Sequence, residues 1–423
     1  MIAEIRPSRL HGVFSAPPSK SMMQRACALA LMHKGETKIE QYGQSADDKI
    51  ALSIIQSCGA IVQEAGNSLI IKSKGVLTPP EILNCGESGL SLRMFSILLA
   101  TQSQAIQLHG RGSLLQRNIS DLMRLLHQVG VESNDVDGKL PVSIQGPLRA
   151  VDLEFDANTS SQYLTGLLFA LAFIADRQIL IKANHLVSKG YVSLSIDMLQ
   201  HFGYDVQQCA EAEFLITPRS KSYNDVNITI EGDWSGAAFF LVWGAIHGGI
   251  AINGLQMHSS QPDRAIMEVF NKTNASFEIQ EETIVFHQQR VLTPFYFDAT
   301  NCPDLFPPLA IFGACIPGIS VIKGVGRLKN KESDRSATIV SELGSMGVDI
   351  KVEGDDMIIN GGKLLTGAIV SAHQDHRIAM ATSMLAMSCS GQTIINGAES
   401  VNKSYPDFFK TLQFLGADVS LFS

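Results

Sequence analysis

One regularity constrains this chain more than any other: an amphipathic helix that ends on a small residue and runs into a strand recurs six times. The helix ends fall at Cys58-Gly59, Val129-Gly130, Phe202-Gly203, Thr273-Asn274, Met346-Gly347 and Leu415-Gly416. Successive intervals between the second residues of these pairs are 71, 73, 71, 73 and 69. Gly and Asn tolerate the left-handed backbone that terminates a helix, so the spacing marks equivalent C-termini. An alternating strand follows each time, as in Val348 to Val352, and in five copies a polar turn leads to another strand. Self-similarity at so regular a period is the signature of duplication.

Each unit also carries an earlier helix, starting near Ser21, Gly89, Ser161, Ser235, Leu305 and His376. Most of these are apolar nearly all round, which suits helices packed between other elements. The unit therefore reads βαβαββ, an α/β (α+β type) fold. The strands rule out an all-helical solenoid. No GxGxxG or GxxxxGK[ST] stands at a strand–helix turn, which argues against a single nucleotide-binding sheet. The sixth unit lacks its last strand, while Ile2 to Arg6 reads as a strand with no unit of its own. The N-terminal strand is thus expected to close the last unit. Six units divide into two similar domains of three: residues 18–230, and residues 1–17 with 231–423.

With 45% hydrophobic and 17% charged residues among 423, the chain has ordinary globular composition and room for several domains. A formal charge of −8 argues against general nucleic-acid binding. The cysteines, at 27, 58, 85, 209, 302, 315 and 389, make neither a CxxC pair nor a zinc pattern, and read as reduced thiols of a cytoplasmic protein. Residues 1–14 hold no apolar signal core. The longest apolar stretch, Ala237 to Ile252, is too short and too interrupted to suggest a membrane span.

The starts of the six earlier helices are rich in polar residues. They read Pro18-Ser19-Lys20-Ser21, Gly86-Glu87-Ser88-Gly89, Thr159-Ser160-Ser161-Gln162, Asp233-Trp234-Ser235, Asn301-Cys302-Pro303-Asp304 and Asp375-His376-Arg377. N-capping accounts for the Ser, Thr, Asp and Asn. It does not account for Lys20, Arg93 and Arg377, because a cation near a helix start opposes the helix dipole unless an anion sits between them. The second helices are preceded by similar charges: Asp47-Asp48, Arg117, Ser188-Lys189, Asp263-Arg264, Lys331-Glu332-Ser333-Asp334-Arg335 and Lys403. Equivalent loops of a repeat lie on one side, so these cations are expected to serve a polyanionic small ligand. Asp304 and Glu332 are then available for proton transfer.

Taken together, these motifs resemble the 5-enolpyruvylshikimate-3-phosphate synthase family. The resemblance runs through the whole chain: Pro18 to Ser21 with Arg25, Gly86 to Arg93, Gln116-Arg117, Ser160 to Gln162, Leu186 to Lys189, Asp304, Lys331 to Arg335 with Asp375 to Arg377, and Lys403. It implies two domains, each of three βαβαββ repeats around a pseudo-threefold axis, the inside-out barrel of enolpyruvyl transferases. It also implies transfer of the enolpyruvyl group of phosphoenolpyruvate to the 5-hydroxyl of shikimate-3-phosphate, with release of phosphate.

Carried over residue by residue, the resemblance implies shikimate-3-phosphate contacts at Lys20, Ser21, Arg25, Ser160, Ser161, Gln162, Ser188, Asp304 and Lys331. Phosphoenolpyruvate contacts would be Lys20, Gly89, Arg93, Arg117, Gln162, Arg335, Arg377 and Lys403. Asp304, Glu332 and Lys20 would be catalytic, with Asp304 as base and Glu332 as acid. The family needs no metal or other cofactor, and its partners are the two small substrates, without nucleic acid or membrane, in a monomeric protein. Departures stand at Glu87-Ser88-Gly89-Leu90, where the family often has Asn-Ala-Gly-Thr, at Met94 for Pro, and at Arg327 for Asn. Two alternatives share the architecture: the enolpyruvyl transferase acting on UDP-N-acetylglucosamine, and a non-catalytic phosphometabolite-binding protein. The first usually carries a loop Cys that Gly110 to Arg117 lacks, and the second should have lost Asp304, Glu332 or the basic set.

Overall fold

The computed structural model describes residues 1–134, 137–219, 224–288, 291–329 and 331–422. The chain divides into two compact units, one of Pro18–Ile230 and one of Met1–Pro17 with Glu231–Ser423. The first unit contains the helices α1 (Lys20–Met32), α2 (Ala46–Ser57), α3 (Gly89–Leu99), α4 (Ser120–Gln128), α5 (Ser161–Ile174) and α6 (Lys189–His201). The second contains α7 (Trp234–His247), α8 (Ile266–Lys272), α9 (Phe306–Cys315), α10 (Arg335–Ser345), α11 (His376–Ala386) and α12 (Phe408–Phe414).

The even-numbered helices end as their sequence requires. Gly59, Gly130, Gly203, Gly347 and Gly416 have φ between 77° and 102°, and Asn274 has φ 60°. A left-handed residue therefore follows every second helix. The odd-numbered helices are the buried ones: every residue of α3 and of α11 is inside. The apolar run from Ala237 belongs to α7, whose body is buried from Trp234 to Ala245. Among the described residues no helix is long and apolar enough to cross a membrane. One boundary differs from expectation. A 3₁₀ turn at Pro303–Leu305 precedes α9, which starts at Phe306. Pro307 and Pro308 lack the N–H that an interior helical position needs, and so sit in its first turn.

Each repeat contributes a four-stranded sheet, and all six have the same order. In one, Ile82–Asn84 runs parallel to Ala105–His109, which pairs antiparallel with Val142–Gln145, and that strand with Glu132–Ser133. Three sheets recruit a distant strand. Val226–Thr229 pairs with Lys34–Glu40, and Gly12–Ser15 with Ile250–Asn253, both in parallel. Ile2–Ile5 lies antiparallel between Thr393–Asn396 and Val419–Phe422. The sheets are open, so no closed barrel is present among the described residues. Each unit has its own hydrophobic core, to which the odd-numbered helices, the sheets and one side of the even-numbered helices all contribute.

Candidate active site

The proposed site residues fall into two sets, one per unit, and each set is built at helix N-termini. In Pro18–Ile230, Ser19 caps α1 by accepting from Met22 N–H at 3.4 Å. Lys20 starts that helix and reaches the Asp47 carboxylate at 3.0 Å. One turn on, Arg25 is 1% exposed. Its guanidinium donates to Ser195 Oγ at 2.8 Å, Ser21 O at 2.7 Å, Tyr191 O at 3.2 Å and Thr165 Oγ1 at 3.4 Å. Every one of these acceptors is neutral. Burial lowers the Arg25 pKa to about 10, with the Tyr191 hydroxyl opposing. A buried cation without a carboxylate is costly, and an arriving anion relieves the cost.

At α3 the arrangement is tighter. Ser88 caps the helix through Ser91 N–H at 3.2 Å, and Gln24 Oε1 accepts from both hydroxyls at 2.9 Å, tying α1 to α3. Gly89 follows the cap. A Cβ added there would lie 2.6 Å from Arg117 Nη1 and 2.7 Å from Arg93 Nη1, so the two guanidiniums converge over a glycine. Arg93 also donates to Gln162 Oε1 at 2.9 Å and lies over the Tyr163 ring. Ser160 caps α5 through Gln162 N–H at 3.2 Å, and Ser161 is buried. Ser188 precedes α6 with φ 53°, a left-handed conformation unusual for a residue with a side chain.

In the other unit, Asp304 sits among three cations. Its Oδ1 accepts from Arg335 Nη1 at 2.8 Å and Lys331 Nζ at 3.4 Å, and its Oδ2 from Arg377 Nη2 at 3.0 Å. Burial pushes this carboxyl up, but Arg377, Lys331 and Arg335 more than reverse that and hold it far below the usual carboxylate range. Arg335 is caged by acids: Asp375 at 2.9 and 3.2 Å, Asp304, and Glu332 at 2.5 Å. Burial acts to lower its pKa, and Asp375, Glu332 and Asp304 together raise it. Lys403 donates to Gln374 O at 2.7 Å. His373 and Gln374 both have positive φ, 50° and 56°, immediately before the cap of α11. Such residues cost on the order of 1 kcal/mol or more each and persist where neighbours over-determine them.

The profile of the EPSP synthase (3-phosphoshikimate 1-carboxyvinyltransferase) family matches residues 5–412. The chain belongs to the EPSP synthase family. Among relatives, the 3-phosphoshikimate 1-carboxyvinyltransferase of Clostridium kluyveri is 35% identical, covering 99% of this chain and 98% of its own. That of Clostridium perfringens strain 13 is 34% identical over 97% of both chains. The solved EPSP synthase of Acinetobacter baumannii superposes with a TM-score of 0.82 at 26% identity, over 99% of this chain and 100% of that one. The enolpyruvyl transferase NikO of Streptomyces tendae, at 16% identity and TM-score 0.76 over 99% and 98% of the chains, shares the fold.

Several supporting groups in this EPSP synthase family member escaped the sequence reading. Asp375, fully buried, caps α11 through Arg377 N–H at 2.9 Å and also holds Arg335. The Asp-His-Arg motif marked its position but not its second partner. Thr165, Ser195 and Tyr191, which seat Arg25, lie inside α5 and α6, where no spacing singles them out.

Asp48, beside the Lys20–Asp47 pair, is 1% exposed and closes a capping box with Ser45. Burial pushes its pKa up to about 7, against the hydrogen bonds from Ser45, with Asp47 adding to the rise. The folded chain thus keeps this proton to higher pH than the unfolded chain, whose Asp releases it near 4. Stability from this group is present below about pH 4 and is lost as pH rises through about 7. Denaturant unfolding from pH 4.5 to 8 should show that decline, on the order of 1–4 kcal/mol. Asp48→Asn should flatten it; an unchanged slope in the variant would assign the decline elsewhere.

Proposed function

We propose that the residue sets described above carry out the reaction of the EPSP synthase family in the following way. The enzyme transfers the enolpyruvyl group of phosphoenolpyruvate to the 5-hydroxyl of shikimate-3-phosphate, in chorismate and aromatic amino acid biosynthesis (EC 2.5.1.19). A bond forms between that oxygen and C2 of phosphoenolpyruvate as the hydroxyl loses its proton and the methylene carbon gains one. The C2–O bond to phosphate then breaks, and a proton leaves the new methyl group to restore the double bond.

Asp304 is the base, Glu332 the acid at carbon, and Lys20 stabilises charge at the reacting oxygens. Shikimate-3-phosphate is held by Lys20, Ser21, Arg25, Ser160, Ser161, Gln162, Ser188, Asp304 and Lys331. Phosphoenolpyruvate is held by Lys20, Gly89, Arg93, Arg117, Gln162, Arg335, Arg377 and Lys403. The observation that carries this reading is the contrast between one buried cation, Arg25, and one carboxylate, Asp304. Arg25 is buried among neutral acceptors and suits an incoming anion, whereas Asp304 is held by three cations that an anion can draw away. As Lys331 and Arg377 turn toward substrate, Asp304 loses its compensation and becomes basic enough to take the hydroxyl proton. The three buried helices of each unit lie inside its open sheets around a pseudo-threefold axis, as in other enolpyruvyl transferases.

The test is phosphate release. Phosphoenolpyruvate with shikimate-3-phosphate should release phosphate, and phosphoenolpyruvate with UDP-N-acetylglucosamine should not. Turnover with the sugar nucleotide alone would remove the reading.

A further inference from the structure

A buried carboxylate in α10 has no part in the reaction just described, yet besides its neighbour Ser341 it holds the turn that leads to the phosphoenolpyruvate set. Glu342 is 8% exposed. Its Oε2 accepts from Ser371 N–H at 2.9 Å, and its Oε1 meets His373 Nε2 at 2.8 Å. Ser371 ends the strand Ile369–Ser371, and the chain then turns through His373 and Gln374 to reach the cap of α11. Those two residues are the left-handed pair, with φ 50° and 56°.

The same helix α10 begins with Arg335, which holds the far end of this turn through Asp375 at 2.9 Å. The turn is therefore pinned to one helix at two heights, by Glu342 at its start and by Arg335 at its end. Between the pins, Gln374 O accepts from Lys403 Nζ at 2.7 Å. Beyond them, Asp375 caps the helix that carries Arg377. Arg335, Arg377 and Lys403 thus all depend on the path of residues 371–375. Local sequence favours that path only weakly: Ser371 Oγ accepts from His373 N–H at 3.2 Å, but neither His nor Gln enters the left-handed region as freely as glycine.

We infer that Glu342 is a positioning residue for phosphoenolpyruvate: it holds the left-handed His373-Gln374 turn, and through it the anchoring of Arg335, Arg377 and Lys403. The inference rests on the assignment of those cations to phosphoenolpyruvate. A purely structural role would lower stability and spare the relative affinities. A positioning role weighs on the two substrates unequally: the three cations that the turn anchors are all assigned to phosphoenolpyruvate, whereas of the shikimate-3-phosphate residues only Asp304 and Lys331 belong to this unit.

Steady-state KM for each substrate and kcat are measured for Glu342→Ala, Glu342→Gln and Glu342→Ala combined with Gln374→Gly. Arg377→Ala and Lys403→Ala serve as reporters of the site. Glu342→Ala should raise KM for phosphoenolpyruvate by about 10-fold or more and leave that for shikimate-3-phosphate within about 2-fold, the scale of a small displacement of binding groups. Glu342→Gln, which keeps an acceptor for Ser371, should stay near wild type. Glycine at 374 keeps the carbonyl for Lys403 while relaxing the backbone, and should recover much of the loss. If Glu342→Ala does not fold, His373→Ala, which removes half the clamp, should show the same split at smaller size. Equal rises for both substrates, an unchanged phosphoenolpyruvate KM, or a loss that glycine does not relieve would each overturn the inference. If Arg377→Ala and Lys403→Ala leave that KM unchanged, the site assignment fails and the clamp with it. If they raise it and Glu342→Ala does not, only the clamp fails.

Discussion

Asp304→Asn and Glu332→Gln should each lower kcat by roughly 10²–10⁴-fold, the usual scale for one general acid or base. Asp304→Asn keeps the shape of the side chain and removes the charge that balances Arg335, Arg377 and Lys331. The three cations then repel, so some stability is lost as well. The two effects separate experimentally. Phosphate release at saturating substrates reports proton transfer, and thermal unfolding without substrate reports the ion cluster. For Glu332→Gln the structural part is smaller, because Arg335 keeps Asp304 and Asp375 as partners. Variants that unfold earlier yet turn over at near wild-type rates would leave these carboxylates as scaffold and move the chemistry elsewhere.

The helix ends were legible in the sequence because a left-handed C′ residue is a local requirement. Gly59, Gly130, Gly203, Asn274, Gly347 and Gly416 satisfy it with nothing but their own backbone. The buried character of α3, α7 and α11 was legible for a related reason, since an apolar residue at nearly every position leaves no face for water. Partner choice was not legible. Arg335 follows Asp334 and Arg377 stands two residues after Asp375, yet the Arg335 side chain is caged by Asp375, 40 residues away, and that of Arg377 reaches Asp304, 73 residues away. Such pairings depend on how repeats stack, which spacing within one repeat does not encode. The left-handed turn at His373-Gln374 was hidden because no glycine marks it: Ser371 Oγ holds His373 N–H locally, and contacts from Glu342 and Lys403 complete it. Asp47 and Asp48 are adjacent in sequence, yet the fold gives them different partners: Asp47 reaches Lys20, while Asp48 closes on Ser45.

Gly89→Ala should raise KM for phosphoenolpyruvate by about 10²-fold while leaving the fold intact or slightly firmer. The added methyl would come within 2.6 Å of Arg117 Nη1 and 2.7 Å of Arg93 Nη1, closer than real Cβ contacts, so both guanidiniums must move. They can move, because each is the far end of a flexible side chain and no backbone atom stands within the same reach. The strain therefore passes into the binding geometry and not into the core. Gly89 also opens α3 behind the Ser88 cap, where alanine is the better helix former by about 1 kcal/mol. Stability and affinity should consequently change in opposite directions, which a folding defect would not produce. Displaced arginines no longer offer a matched pair of donors, and bidentate recognition of phosphate or carboxylate is sensitive to such shifts. Shikimate-3-phosphate should be affected less: it shares Gln162, which accepts from Arg93, but is assigned chiefly to other groups such as Arg25 and the serines of α5 and α6. Kinetics with both substrates and a melting curve decide it: an unchanged phosphoenolpyruvate KM in a well-folded Gly89→Ala protein would mean that Arg93 and Arg117 do not hold that substrate.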